Sequence, residues 1–151
     1  MKSLLVASAT VVGLLSSLPA AAQFQKPEDA VRYRKAAFTV MGAHFGRIGA
    51  MAQGRVPFDA AVATSNAEIV AAISKLPYAG FVEGTSGTEK GQPNGKVWSE
   101  RAKFDAAAKT MQDEVAKLVV ATKANNLDQL KTAFGTAAGT CKTCHDEFRN
   151  Q

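Results

Sequence analysis

The chain has 151 residues, 46% of them hydrophobic and 21% charged, with 18 basic and 13 acidic side chains for a formal net charge of +5. That length suits one domain with one core behind a short leader. Lys and Arg are scattered, with no aromatic-basic strip beside them, so the composition argues against nucleic acid as a partner and leaves a mild bias toward an acidic redox partner.

Residues 1–22 read as a secretory signal. Lys2 supplies the charged start, Leu4 to Leu18 the apolar stretch, and Ala20-Ala21-Ala22 the small-residue cleavage site before Gln23. A membrane anchor fits less well, because the run is short and is interrupted by Ser16-Ser17 and Pro19. Residues 23–151 then form the expected mature domain of 129 residues, with 17 basic and 13 acidic side chains and a net charge of +4. No later segment is apolar enough to span a bilayer, so a periplasmic product with no membrane insertion is expected.

Four helical stretches follow. Pro27-Glu28-Asp29 opens the first, with proline in the first turn and two carboxylates at the positive end. Its apolar stripe runs Val31, Arg34, Phe38, Met41, Phe45, Ile48, and a break comes at Gly54-Arg55-Val56-Pro57. The second gives Phe58, Val62, Ser65, Ile69, Ala72, Leu76, and Pro77 ends it. A long glycine-rich loop with Phe81 as its apolar anchor leads to the third, which begins near Lys96 and steps through Val97, Arg101, Phe104, Ala108, Met111, Val115, Leu118 before fading at Asn125-Asn126. The fourth runs from Leu127 through Leu130, Phe134, Ala137, Cys141, Cys144 to Phe148. Spacing of three and four throughout, with no alternating run, predicts an all-α protein, an antiparallel four-helix bundle.

The last helix carries both cysteines of the chain and one of its two histidines in Cys141-Lys142-Thr143-Cys144-His145. Cys-x-x-Cys-His is the attachment pattern of a c-type haem: two thiols add across the vinyl groups and the adjacent imidazole binds the iron. On a helix the three side chains leave one face. Other readings stand beside it. A structural zinc site wants four ligands, and the only other histidine, His44, is about a hundred residues away. A thioredoxin-type pair wants a βαβ context. A disulfide at this spacing closes a very small loop and constrains little. Both cysteines fall on the predicted core seam, so one haem c per chain, covalently held inside the bundle, is the expected cofactor.

With Cys-x-x-Cys-His in the last helix, an Arg-x-x-x-apolar element in the first and an aromatic in the long loop, the whole mature chain resembles cytochrome c′, the high-spin branch of the class II c-type cytochromes. The resemblance implies His145 as proximal iron ligand, Cys141 and Cys144 as thioether anchors, Phe38 over the distal face, Arg34 near the haem propionates, Phe81 near the haem and Arg149 beside the proximal imidazole. Many relatives hold leucine where this chain has Phe38, and the larger ring should restrict distal access. A homodimer through the first two helices is implied as well.

Independently of the resemblance, Arg34 on an apolar stripe needs an anion or an exit to water, and Arg149 lies one helical turn from His145 on its face. Met41, Phe104, Met111 and Phe134 are expected pocket packing by periodicity. Met41, one turn beyond Phe38, remains open as a sixth iron ligand; His44 falls beside the seam. No general base or nucleophile with a partner stands beside the motif, which points away from an enzyme. Together with the resemblance, which implies a role in nitric oxide binding or protection, the expected function is a periplasmic, five-coordinate haem protein that binds nitric oxide and carbon monoxide; a six-coordinate electron carrier with an unidentified redox partner is the alternative.

Overall fold

The computed structural model describes residues 23–151; the signal segment read in residues 1–22 lies outside the described residues. Four long helices form the bundle: α1 (Pro27–Ala52), α2 (Ala60–Ile73), α4 (Arg101–Lys123) and α5 (Leu127–Phe148), with a short α3 (Lys96–Ser99) before α4 and a 3-10 turn at Pro77–Gly80. No strand occurs among the described residues; Pro93 and Arg149 make an isolated antiparallel bridge. No described helix is long and apolar enough to cross a membrane.

Local chemistry sets the helix ends. Asp59 caps α2 by accepting from Val62 N–H at 3.0 Å, so this helix starts later than Phe58. Asn126 caps α5 through bonds from the N–H groups of Asp128 and Gln129, both 3.0 Å. The third stretch is not one helix from Lys96. The backbone leaves helical geometry at Glu100 (φ −118°, ψ 42°), and α4 begins one residue later.

Helix α1 packs on α2, α2 on α4 and α4 on α5, while α1 and α5 touch over a shorter length. One core cluster gathers Ile48, Met51, Val70, Val115, Leu118 and Leu130 toward the end of α1. A second, of Phe81, Val97, Phe104 and Phe148, sits at the opposite end of the bundle. Tyr78, from the 3-10 turn, packs against both clusters; Cys141 packs against the first and Cys144 against the second.

The stripe read for α2 is corrected. Val62 and Leu76 are exposed, as are Ser65 and Ala72, whereas Ala63, Ala67, Val70 and Ser74 are buried. Alanine on the inner face lets α2 approach its neighbours closely, and Ser74 is accommodated because its hydroxyl donates to Ala71 O at 2.8 Å.

Candidate functional site

A cavity of about 640 Å³, within the range typical of small-molecule and cofactor sites, is lined chiefly by α1, α4, α5 and the loop before α4. All seven predicted site residues, Arg34, Phe38, Phe81, Cys141, Cys144, His145 and Arg149, lie on its wall. Met41, Phe104 and Met111 are there too. Phe134 is not: it stacks on Phe45 with ring centroids 4.6 Å apart and fills space beside the cavity.

Helix α5 supplies the reactive groups. Cys141 and Cys144 are half-buried and joined to no other cysteine, and burial pushes both thiols above their ordinary range. His145 is exposed as a residue, yet partial burial, reinforced by the nearby Arg149 guanidinium, holds the imidazole below its ordinary pKa, leaving a neutral ring with a lone pair available to a metal. His44 does not reach this group: its Nδ1–H donates to Asn66 Oδ1 at 2.8 Å at the α1–α2 contact, and Asn66 Nδ2 donates in turn to Val62 O. Among the described residues no cluster of three or more His, Cys, Asp or Glu side chains is placed to hold a metal ion.

Aromatic rings form much of the remaining wall. Phe38 meets both Tyr78 and Phe81 edge to face, with centroids 6.3 Å away in each case. Phe81 also contacts Phe104 at 4.9 Å, and Phe104 contacts Phe148 at 5.3 Å. Burial pushes the Tyr78 phenol well above the ordinary tyrosine range, with the facing thiols of Cys144 and Cys141 adding to the shift, so its O–H stays protonated.

Arg34 is 4% exposed, and loop oxygens receive its guanidinium. Nη1 donates to Gly80 O at 2.9 Å and to Thr85 Oγ1 at 2.7 Å, and Nη2 donates to Thr85 O at 2.7 Å. The guanidinium also lies over the Phe81 ring, 4.7 Å from its centroid. Loop atoms thus satisfy three of its donors, a solution that periodicity could not foresee. Of the five N–H groups of a guanidinium, two are left for an anion at the cavity. Burial lowers the Arg34 pKa but leaves the group charged.

These residues fit a haem c. Two unpaired thiols three residues apart and an adjacent imidazole lie on the wall of one largely apolar cavity, and a buried cation with spare donors stands on the same wall.

Comparison with known proteins agrees with that fit. The family model described as Cytochrome C′ matches residues 29–149. Cytochrome c′ of Rubrivivax gelatinosus is 46% identical over 129 residues, taking in 85% of this chain and 100% of the relative. Cytochrome c′ of Alcaligenes xylosoxydans xylosoxydans is 43% identical over 129 residues, with 85% and 99% covered. Among solved structures, the R. gelatinosus protein superposes with a TM-score of 0.78 at 47% identity, covering 85% of this chain and 100% of that one. A nitric oxide complex of a cytochrome c prime variant from Alcaligenes xylosoxidans superposes with a TM-score of 0.77 at 41% identity, covering 85% and 98%.

Proposed function

The chain belongs to the cytochrome c′ family and carries covalently bound haem c, and on that premise we propose that it is a periplasmic protein that binds nitric oxide and carbon monoxide at a five-coordinate iron and protects against nitric oxide. Haem c supplies, when bound, an iron centre able to take a diatomic gas. Cys141 and Cys144 would anchor it through thioether bonds and His145 would ligate the iron. Arg34 would direct its two spare N–H groups to the propionates. Phe38 would exclude ligands from the face opposite His145, while Arg149 offers N–H donors on the His145 face. A gas on the Phe38 side would meet a packed ring, and one on the His145 side would meet the Arg149 cation.

The observation that carries this reading is the fixing of Phe38 between Tyr78 and Phe81 on the cavity wall. A ring held by two others yields only at a cost, which favours an iron with no sixth protein ligand and a guarded open side. The role is that of a binding protein rather than an enzyme. Export rests on the signal read in residues 1–22, and a homodimer through α1 and α2 is supported by the exposed Val40, Val62 and Leu76 on or just beyond those helices.

Met41, on the same wall, favours a second reading. Its thioether as sixth ligand would make the protein a low-spin electron carrier. Absorption and EPR spectra of the ferric and ferrous protein separate the two, high-spin five-coordinate spectra being expected. Haem that resists extraction by acid-acetone is expected from the covalent anchors, and its intact release would overturn the assignment of Cys141 and Cys144.

A further inference from the structure

The last residues of the chain are tied into the cavity wall. Loop residues 87–94 lie beside residues 148–151. Gly91 N–H donates to Asn150 O at 2.8 Å, Asn150 N–H to Gln92 O at 2.9 Å, and Asn94 N–H to Phe148 O at 3.0 Å. The Asn150 side chain adds what the backbone ladder lacks: its Nδ2 donates to Gly87 O at 2.7 Å and to Glu89 O at 3.3 Å. Residues 148–150, at the end of α5 and just beyond it, are thus stitched to the turn they cross.

Arg149 sits inside that stitching. Its Nε donates to Gly91 O at 3.0 Å, and it shares the cavity wall with His145, Gly91 and Gln92. Gly91 has φ +80°, and a Cβ there would stand 2.9 Å from Arg149 Nη2. An arginine side chain has among the largest rotamer freedoms of any residue, so a guanidinium used as a fixed donor must be held by something. Here the hold is the tail–loop ladder and the carboxamide that closes it.

We propose that Asn150 is a positioning residue that acts through Arg149: its carboxamide latches the chain end to the 87–89 turn and so fixes the guanidinium beside His145. The inference rests on the reading of His145 as iron ligand and Arg149 as a donor on that face.

The test uses the haem-loaded protein and four forms: wild type, Asn150→Ala, Arg149→Ala and the double variant. Asn150→Ala removes the carboxamide but keeps every backbone bond and adds no charge. Hydrogen exchange at the Gly91 and Asn150 amides should accelerate roughly tenfold or more in Asn150→Ala, as loss of the carboxamide's bonds to Gly87 O and Glu89 O implies. The rate of nitric oxide release from the ferrous protein should change by a similar factor and in the same direction as in Arg149→Ala, and the double variant should match Arg149→Ala alone. Gly91→Ala, which displaces Arg149 by another route, should reproduce the change in release.

Additive effects of the two substitutions, or unchanged exchange at the two amides, would overturn the latch. A changed release rate in Arg149→Ala with none in Asn150→Ala sinks the latch alone. No change in Arg149→Ala removes the donor role on the His145 face, and the latch with it. A merely structural role for Asn150 would lower the melting temperature without this coupling.

Discussion

Phe38 meets Tyr78 edge to face, with ring centroids 6.3 Å apart and ring planes at 83°. With Phe81 against another part of the ring, at 6.3 Å and 74°, Phe38 has little room to turn aside. A ligand approaching beneath it must force the ring from its packed rotamer, and strain of that kind costs ~1–3 kcal/mol. Phe38→Ala should therefore raise carbon monoxide affinity about tenfold or more. Equilibrium titration of the ferrous protein measures it, and an unchanged affinity would show that the ring does not guard the iron.

Met41 gives a second test. It lies on the cavity wall one turn beyond Phe38, so its sulfur is the nearest rival for the iron on α1. The wild-type ferric spectrum should lack a methionine-to-iron charge-transfer band, and Met41→Ala should leave the spin state unchanged. A band that disappears in Met41→Ala would establish the electron-carrier reading instead.

Thr85 holds Arg34 twice, through its hydroxyl and its carbonyl, both at 2.7 Å. Thr85→Val keeps the side-chain shape and the carbonyl but removes one acceptor from a buried guanidinium. A charged donor left short of its partner costs about 1–3 kcal/mol, so the denaturation midpoint should fall with an unchanged slope. A midpoint equal to wild type would mean that water or the haem propionates replace the lost acceptor.

Tyr78 sets an alkaline limit on stability. Its phenol pKa is raised in the folded protein, chiefly by burial and only secondarily by the facing cysteines. The folded state holds the proton above the pH at which the unfolded chain releases it. The unfolded chain is thus favoured as pH rises past the ordinary tyrosine value of about 10. Denaturation midpoints measured between pH 8 and pH 11 should fall for wild type, and Tyr78→Phe should lose that part of the decline. An identical decline in both proteins would exclude the phenol as its source.

The cofactor pentapeptide and α1 were legible because both are written in spacing. Residues three and four apart share a helix face, and Arg34, Phe38, Met41 and the motif all arrive on one cavity wall as that rule requires. The inner face of α2 was not legible, since hydropathy ranks Val62 and Leu76 above Ala63 and Ala67, whereas close helix packing prefers the smaller residues. Phe134 was misplaced for a related reason: periodicity names a face but not which neighbour it meets, and here that neighbour is Phe45. The partners of Arg34 and the chain-end ladder rest on loop carbonyls, to which side-chain pattern is blind. Gly87, Gly91, Pro93, Asn94 and Asn150, residue types common in turns, were the hints of an ordered loop there.

Placing both thiols, the imidazole and the final strip of cavity wall on α5 and the residues after it has a consequence for synthesis. A ribosome makes α1, α2 and α4 first, and a chain interrupted between α4 and Cys141 contains every residue of those helices yet neither of the two thiols of the sequence. With Cys141 and Cys144 as the proposed anchors, covalent loading would be confined to chains read through the motif. The coloured fraction of a preparation is then, by construction, free of products truncated upstream of it, and the ratio of haem absorbance to total protein becomes a direct gauge of how completely the message was translated and matured.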